Sequence, residues 1–265
     1  MRKSIHRTIG GALSAVTIAA GLALALPADA TPNHQAKPTI VLVHGAFADS
    51  SSWNGVIERL RRDGYPVRAA ATPLRGIATD AASVKSLVDF IGGPVVLVGH
   101  SYGGAVISTA AAGDPAVKSL VYIAAFAPDE GETVGALSAK PVPDPIAALP
   151  LQQVPTGPQS ADLYLEPAKF RSVFAADVDP ATAATMAATQ EPVNAAAFAE
   201  PAPAAAWKTI PSWYLVARND KAIAPNLERF MAARAKSRTV EVNSSHAAMV
   251  SHPEQVTRLI EAAAR

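Results

Sequence analysis

One hexapeptide constrains the fold of this chain more than any other stretch. Gly99-His100-Ser101-Tyr102-Gly103-Gly104 follows the apolar run Val95-Val96-Leu97-Val98 directly and opens a small-residue helical pattern over residues 105–112. A β-branched run of this length reads as a strand, and glycines on either side of Ser101 let the backbone turn sharply and pass close to its neighbours. The pattern predicts a serine raised on a strand-to-helix turn, above a helix N-terminus that favours developing negative charge.

The surroundings agree with such a turn. Apolar runs at residues 39–43, 67–70, 95–98 and 120–124 read as strands, and between them Trp53, Val56, Ile57 and Leu60, then Val84, Leu87, Val88 and Ile91, recur at helical spacing. Strands apolar on both faces need helices on both sides, so the pattern predicts an α/β fold with a doubly wound, mostly parallel sheet. From about residue 126 to 207 the rhythm changes. Pro141, Pro143, Pro145, Pro150, Pro155 and Pro158 crowd together, and residues 181–189 are Ala-rich and helical in pattern. Strand patterns return at residues 212–216 and 239–242, before a closing helix over about 253–264. The interruption reads as a helical cap inserted between sheet strands, over the carboxyl ends where open α/β sheets bind ligands. A second subdomain without a role at the site is the alternative.

A serine hydroxyl is a weak nucleophile at neutral pH, so Ser101 needs a histidine base and a carboxylate to orient it, in the chain order Ser, acid, His. Asp220 comes a short turn after the run Trp213-Tyr214-Leu215-Val216, and His246 follows the run ending near Val242 by way of Asn243-Ser244-Ser245. Both therefore fall on loops at the carboxyl edge of the sheet. Among the other candidates, His252 flanks the last helix, His100 packs beside the elbow, and Asp129, after residues 120–124, is a reserve acid. Acyl transfer also needs donors for an oxyanion: the backbone N–H of Tyr102, after the nucleophile, and that of Ala46 in His44-Gly45-Ala46-Phe47. His44 braces this loop, and Phe47 is a candidate for lining the pocket.

Composition narrows the partners. The 265 residues are 49% hydrophobic and 17% charged with a formal net charge of +1, which supplies no field to gather phosphates, so nucleic acid is not an expected partner. With no cysteine, disulfides, thiolate metal sites and a Cys nucleophile are excluded. No phosphate-cradling Gly-rich loop, HExxH or clustered His and carboxylate spacing occurs, so neither cofactor nor metal is expected. At the N-terminus Arg2, Lys3 and Arg7 precede an apolar stretch over residues 9–26, then Pro27 and Ala28-Asp29-Ala30. This reads as a general secretory signal peptide over residues 1–30, leaving a mature chain of residues 31–265, extracellular or periplasmic, with no stable membrane association. An uncleaved anchor is the alternative; Gly10, Gly11 and Gly21 dilute the apolar stretch and argue against it.

These residues resemble the α/β-hydrolase fold superfamily over about residues 38–265. Val41-Leu42-Val43-His44-Gly45-Ala46, the stretch from Ala124 to Glu130, and His246-Ala247-Ala248-Met249 are similar to the branch of plant methyl esterases and hydroxynitrile lyases and their bacterial relatives. The resemblance implies that Phe126 and Asp129 border the cap and help shape the pocket. Hydroxynitrile lyases of this type carry Lys directly after the catalytic His and Thr directly after the first-strand His, where this chain has Ala247 and Gly45. An ester hydrolase acting on small to medium substrates is therefore favoured over a lyase. Tyr164, Phe170, Phe174, Met186 and Phe198 are cap candidates for an apolar pocket. Lactonase or cofactor-free perhydrolase chemistry on the same residues, or a ligand-binding protein of low turnover, are the alternatives.

Overall fold

The computed structural model describes residues 37–265; the leader read from residues 1–30 lies outside them. The chain begins with alternating elements: β1 (Thr39–Val43), α1 (Asn54–Arg62), β2 (Val67–Ala70), α2 (Ile77–Ile91), β3 (Val95–Ser101), α3 (Gly103–Ala110) and β4 (Val117–Ala125). Next come α4 (Val134–Ser138), β5 (Leu151–Gly157), β6 (Ser160–Leu165), α5 (Pro167–Phe174), α6 (Pro180–Thr189) and β7 (Val193–Asn194). The alternation resumes with β8 (Ser212–Ala217), α7 (Pro225–Arg234), β9 (Arg238–Val242), α8 (Ala248–Ser251) and α9 (Pro253–Ala263).

Six strands form one sheet in the order β2-β1-β3-β4-β8-β9, and every pairing within it is parallel. Successive side chains of a strand point to opposite faces, and the core divides accordingly. Ile40, Leu42, Val96, Val98 and Ile123 pack with Trp53, Leu60 and Ile260 on one face. Val41, Val43, Leu97 and Val216 pack with Val84, Val106 and Met231 on the other. The sheet is thus covered by α1 and α9 on one side and by α2, α3 and α7 on the other, the doubly wound arrangement that two-faced apolar strands require.

Local chemistry sets the helix ends. The Pro residues at 167, 180, 225 and 253 each open a helix, where a missing N–H and a fixed φ carry no penalty. Asp179 caps α6 by accepting from the amides of Ala181 and Thr182, each at 3.0 Å. Gly92 closes α2 at φ 65°, donating to Val88 O.

The segment between β4 and β8, expected from the sequence as a helical cap, contains strands as well as helices. Alongside α4, α5 and α6 it contains a three-stranded antiparallel sheet in the order β5-β6-β7. The prolines concealed it. Pro155 lies on β5, an edge strand, where the pairing with β6 shifts register between Pro155 and Gly157, and an edge or a bulge is where a strand tolerates a residue without an amide proton. The segment is tied to the sheet's loops by Phe47 N donating to Glu191 O at 3.0 Å, Asn194 N to Leu74 O at 2.9 Å and Ala247 N to Phe174 O at 3.0 Å.

Candidate active site

Because all six strands run in one direction, Val43, Ser101, Ala125, Ala217 and Val242 end at the same edge of the sheet. The residues that follow them, Ala46, Tyr102, Phe126, Asp220 and His246, are thereby gathered in loops above that edge. Topology, not sequence proximity, builds the site.

Ser101 has φ 53°, a left-handed conformation that costs a non-glycine residue about 1–3 kcal/mol and that only well-packed surroundings hold. The glycines supply that packing. A Cβ on Gly99 would fall 2.6 Å from Gly103 O, and one on Gly103 would fall 2.7 Å from both Val43 O and His44 O. Gly104 would strike Phe126 O in the same way, and Phe126 N donates to Ser101 O at 3.0 Å. The elbow is locked between β1 and the loop after β4.

His246 and Asp220 meet over this elbow. His246 Nδ1 lies 2.6 Å from Asp220 Oδ2 with both side chains excluded from solvent. Asp220 Oδ1 accepts from the amides of Ala222 and Ile223 at 2.6 and 3.0 Å. With its Nδ1 proton directed at a carboxylate, the imidazole keeps Nε2 as its basic nitrogen. The histidine loop is braced on three sides. Phe174 packs edge-on against the His246 ring at 4.8 Å, Ser245 Oγ donates to the Asp177 carboxylate, and His100 Nε2 lies 3.0 Å from His246 O. His100 is fully buried, and that burial pushes its pKa well below the usual imidazole value, so it is neutral and donates this bond. His100 is a brace, as its place beside the elbow suggests, and His252, at the start of α9, faces Asp177 at 3.5 Å.

Ser101 and His246 open onto one cavity of about 450 Å³, whose walls are largely apolar and include Val134, Ile146, Leu149, Phe174, Phe198 and Leu227. Lys140 also contributes to it, with its ammonium over the Phe230 ring at 4.6 Å. Ser101 Oγ faces this space with no hydrogen-bond partner among the described residues. Ala46 and Tyr102 line the same cavity, and their amides donate to no backbone carbonyl among the described residues, whereas the next amide, that of Phe47, is committed to Glu191 O. His44 braces the first loop through Nε2, which lies 3.2 Å from Thr72 Oγ1.

Phe47 and Phe126 line the cavity, and of the aromatic candidates from the inserted segment Phe174 and Phe198 do so, while Phe170 is core and Tyr164 borders a different surface groove. Asp129 does not line the cavity, and the carboxylate that meets His246 is that of Asp220. The Asp129 carboxylate pairs with Lys208, which lowers its pKa. The backbone beside it is pinned by Trp207 Nε1 donating to Pro128 O at 2.8 Å.

Two buried carboxyls went unnoticed in the sequence. Asp80, on α2, accepts from Tyr102 Oη at 2.8 Å and from Arg75 N at 3.2 Å, and burial raises its pKa. Glu228, on α7, is fully buried and accepts from Ala217 N at 2.9 Å. A signal for each was present: Asp80 falls on the stripe Ile77, Ala81, Val84 and Val88, and Glu228 on the stripe Leu227, Met231 and Ala232, both of which face the core. An acid on an apolar helix face is unexpected unless something there holds it.

Comparison with known proteins identifies the family. The model of the alpha/beta hydrolase family matches residues 40–259. The chain belongs to that family and is a hydrolase. Among curated relatives, the alpha/beta hydrolase nvfD of Aspergillus novofumigatus is 29% identical over 251 residues, covering 86% of this chain and 97% of the relative. A carbendazim hydrolyzing esterase from a Nocardioides species is 31% identical over 121 residues, 41% of this chain and 50% of the relative. Among solved structures, polyneuridine aldehyde esterase is similar in fold, with a TM-score of 0.73 at 18% identity over 85% of this chain and 98% of that one. A pyrethroid hydrolase from Sphingobium faniae has a TM-score of 0.71 at 23% identity, over 86% and 97%.

Proposed function

We propose that this hydrolase cleaves carboxylic esters through an acyl-serine intermediate on Ser101. One observation carries the reading: a serine at φ 53° shares a cavity with His246, whose far nitrogen is held by the buried Asp220 at 2.6 Å. Ser101 Oγ attacks the ester carbonyl carbon while His246 Nε2 takes the hydroxyl proton, and Asp220 stabilises the imidazolium that forms. The carbonyl oxygen becomes an oxyanion that accepts from the amides of Ala46 and Tyr102. His246 returns its proton to the alkoxide as the ester C–O bond breaks, and the alcohol leaves. A water molecule, deprotonated by His246, then attacks the acyl-serine, releasing the acid and restoring the serine.

The curated relatives and solved structures that carry esterase or hydrolase names support this reading. The apolar walls and a volume of about 450 Å³ suit uncharged esters of small to medium size. We propose further that residues 1–30 direct export and are removed; N-terminal sequencing of the exported product would then begin at Thr31, and a product beginning at Met1 contradicts it.

The function is tested with a p-nitrophenyl ester series from acetate to long acyl chains, using residues 31–265 and the Ser101→Ala variant. Turnover that falls with acyl length and vanishes in the variant is the expected result. Turnover that survives in Ser101→Ala overturns the assignment.

A further inference from the structure

Glu228 has no part in the chemistry above, yet it is buried beside it. Its Oε2 accepts from Ala217 N, at the end of β8, at 2.9 Å. Its carboxyl lies against that of Asp220, and its Oε1 has no hydrogen-bond donor among the described residues. Asp220 receives three N–H groups, from Ala222, Ile223 and His246. Two carboxylates in contact and away from water cannot both hold a negative charge, so the pair keeps one proton. Glu228 has a single backbone donor against the three N–H groups on Asp220, and burial together with the neighbouring Asp220 carboxyl pushes its pKa well above the ordinary value, so Glu228 retains the proton.

The other ionisable groups near Glu228 do not reverse this. Tyr214, on β8, is fully buried and its pKa is raised by burial and by Glu228 itself, so it stays neutral. Arg229, the next residue on α7, turns its guanidinium to the surface, where it makes paired bonds of 2.8 Å to the Glu241 carboxylate. Among the described residues no Lys or Arg makes a salt bridge to Glu228 or Asp220.

We propose that Glu228 is a positioning residue for the site: uncharged, it donates a hydrogen bond from Oε1 to Asp220 while Oε2 ties the pair to the end of β8. Asp220 then has a fourth donor and a single orientation, and the imidazole it holds points Nε2 at the cavity. The inference rests on the assignment of Ser101, His246 and Asp220 made above.

The test compares the wild type with Glu228→Leu and Glu228→Gln on p-nitrophenyl acetate across pH. The glutamine amide reproduces both bonds, with its N–H toward Asp220 and its oxygen toward Ala217 N; leucine reproduces neither. Removing a hydrogen bond to a charged group lowers kcat by about tenfold to a hundredfold in Glu228→Leu, with a smaller change in KM, and Glu228→Gln recovers most of the loss. The acidic limb of kcat/KM is the decisive readout. Replacing a neutral acid by an amide leaves the limb in place, whereas replacing an anion beside Asp220 moves it down by about one pH unit or more; the second result overturns the proposal. So does a Glu228→Leu enzyme with wild-type kcat. An infrared measurement reads the same proton without turnover: the wild type shows a protonated-carboxyl band, sensitive to deuterium, that Glu228→Gln lacks. If Ser101 proves dispensable while that band is present, the catalytic reading has failed and the protonation of Glu228 has not; absence of the band refutes the neutral glutamic acid.

Discussion

Gly45 sits so close to the elbow that a Cβ placed on it would fall 2.6 Å from Ser101 Cβ and 2.8 Å from His100 O. The loop that carries Ala46 and the turn that carries Ser101 are therefore in direct backbone contact, which brings the two proposed oxyanion amides to one place. Gly45→Ala forces them apart. Overpacking of this kind costs about 1–3 kcal/mol of stability, and loss of an oxyanion donor lowers kcat by about a hundredfold or more. Steady-state kinetics beside a thermal melt check this; a variant with unchanged kcat contradicts the placement of Ala46.

The two aspartates proposed for the acid's role from sequence separate cleanly. Asp220 holds His246, whereas Asp129 pairs with Lys208. Asp220→Asn lowers kcat by about 10³–10⁴ because the amide can present a donor where His246 needs an acceptor. Asp129→Asn leaves turnover at the wild-type level. Equal losses in both variants would remove the distinction.

Much of this was readable because strand topology and nucleophile both have strong local signatures. The runs that became β1, β3, β4 and β8 are apolar on both faces, and Ser101 stands among glycines that only a crowded turn requires. Asp220 and His246 were found by their position after strands, a rule that depends on the sheet being parallel. The same rule picked Asp129, since it too follows a strand; what removed it was Lys208, which lies far along the chain and whose approach is a tertiary event. β5 was hidden by Pro155, which an edge strand tolerates. Asp80 and Glu228 were hidden because their partners, Tyr102 and Asp220, come from other elements, and an acid on a helix shows only as a break in an apolar stripe.

Tyr102 does more than offer an amide, since its hydroxyl donates to the buried Asp80 at 2.8 Å. Tyr102→Phe keeps the ring and leaves the carboxyl with one donor fewer in a place it cannot be hydrated. The expected loss is about 1–3 kcal/mol, read as a lower denaturation midpoint in urea with an unchanged slope. A change below about 0.5 kcal/mol, the level of an ordinary surface substitution, would show that Asp80 is satisfied without Tyr102.

Glu228 also makes a prediction about stability. In the unfolded chain it loses its proton near the ordinary value of 4.5, and burial beside Asp220 raises its pKa well above that in the fold. Between the two values unfolding releases a proton, so the stability that Glu228 contributes is complete below about 4.5 and declines as pH rises through the folded value. Glu228→Gln has no such proton to lose. Its melting temperature therefore gains on that of the wild type as pH rises from about 4.5. A difference constant with pH would contradict the raised value.

The acyl-serine mechanism stands or falls on whether Ser101 is the nucleophile. The most direct measurement treats the protein with a fluorophosphonate, follows ester turnover, and locates the label by mass spectrometry of its peptides. The expected result is one label per chain, on Ser101, with turnover lost in proportion and no label on Ser101→Ala. A label on another residue, or turnover that persists once Ser101 is fully modified, would contradict it.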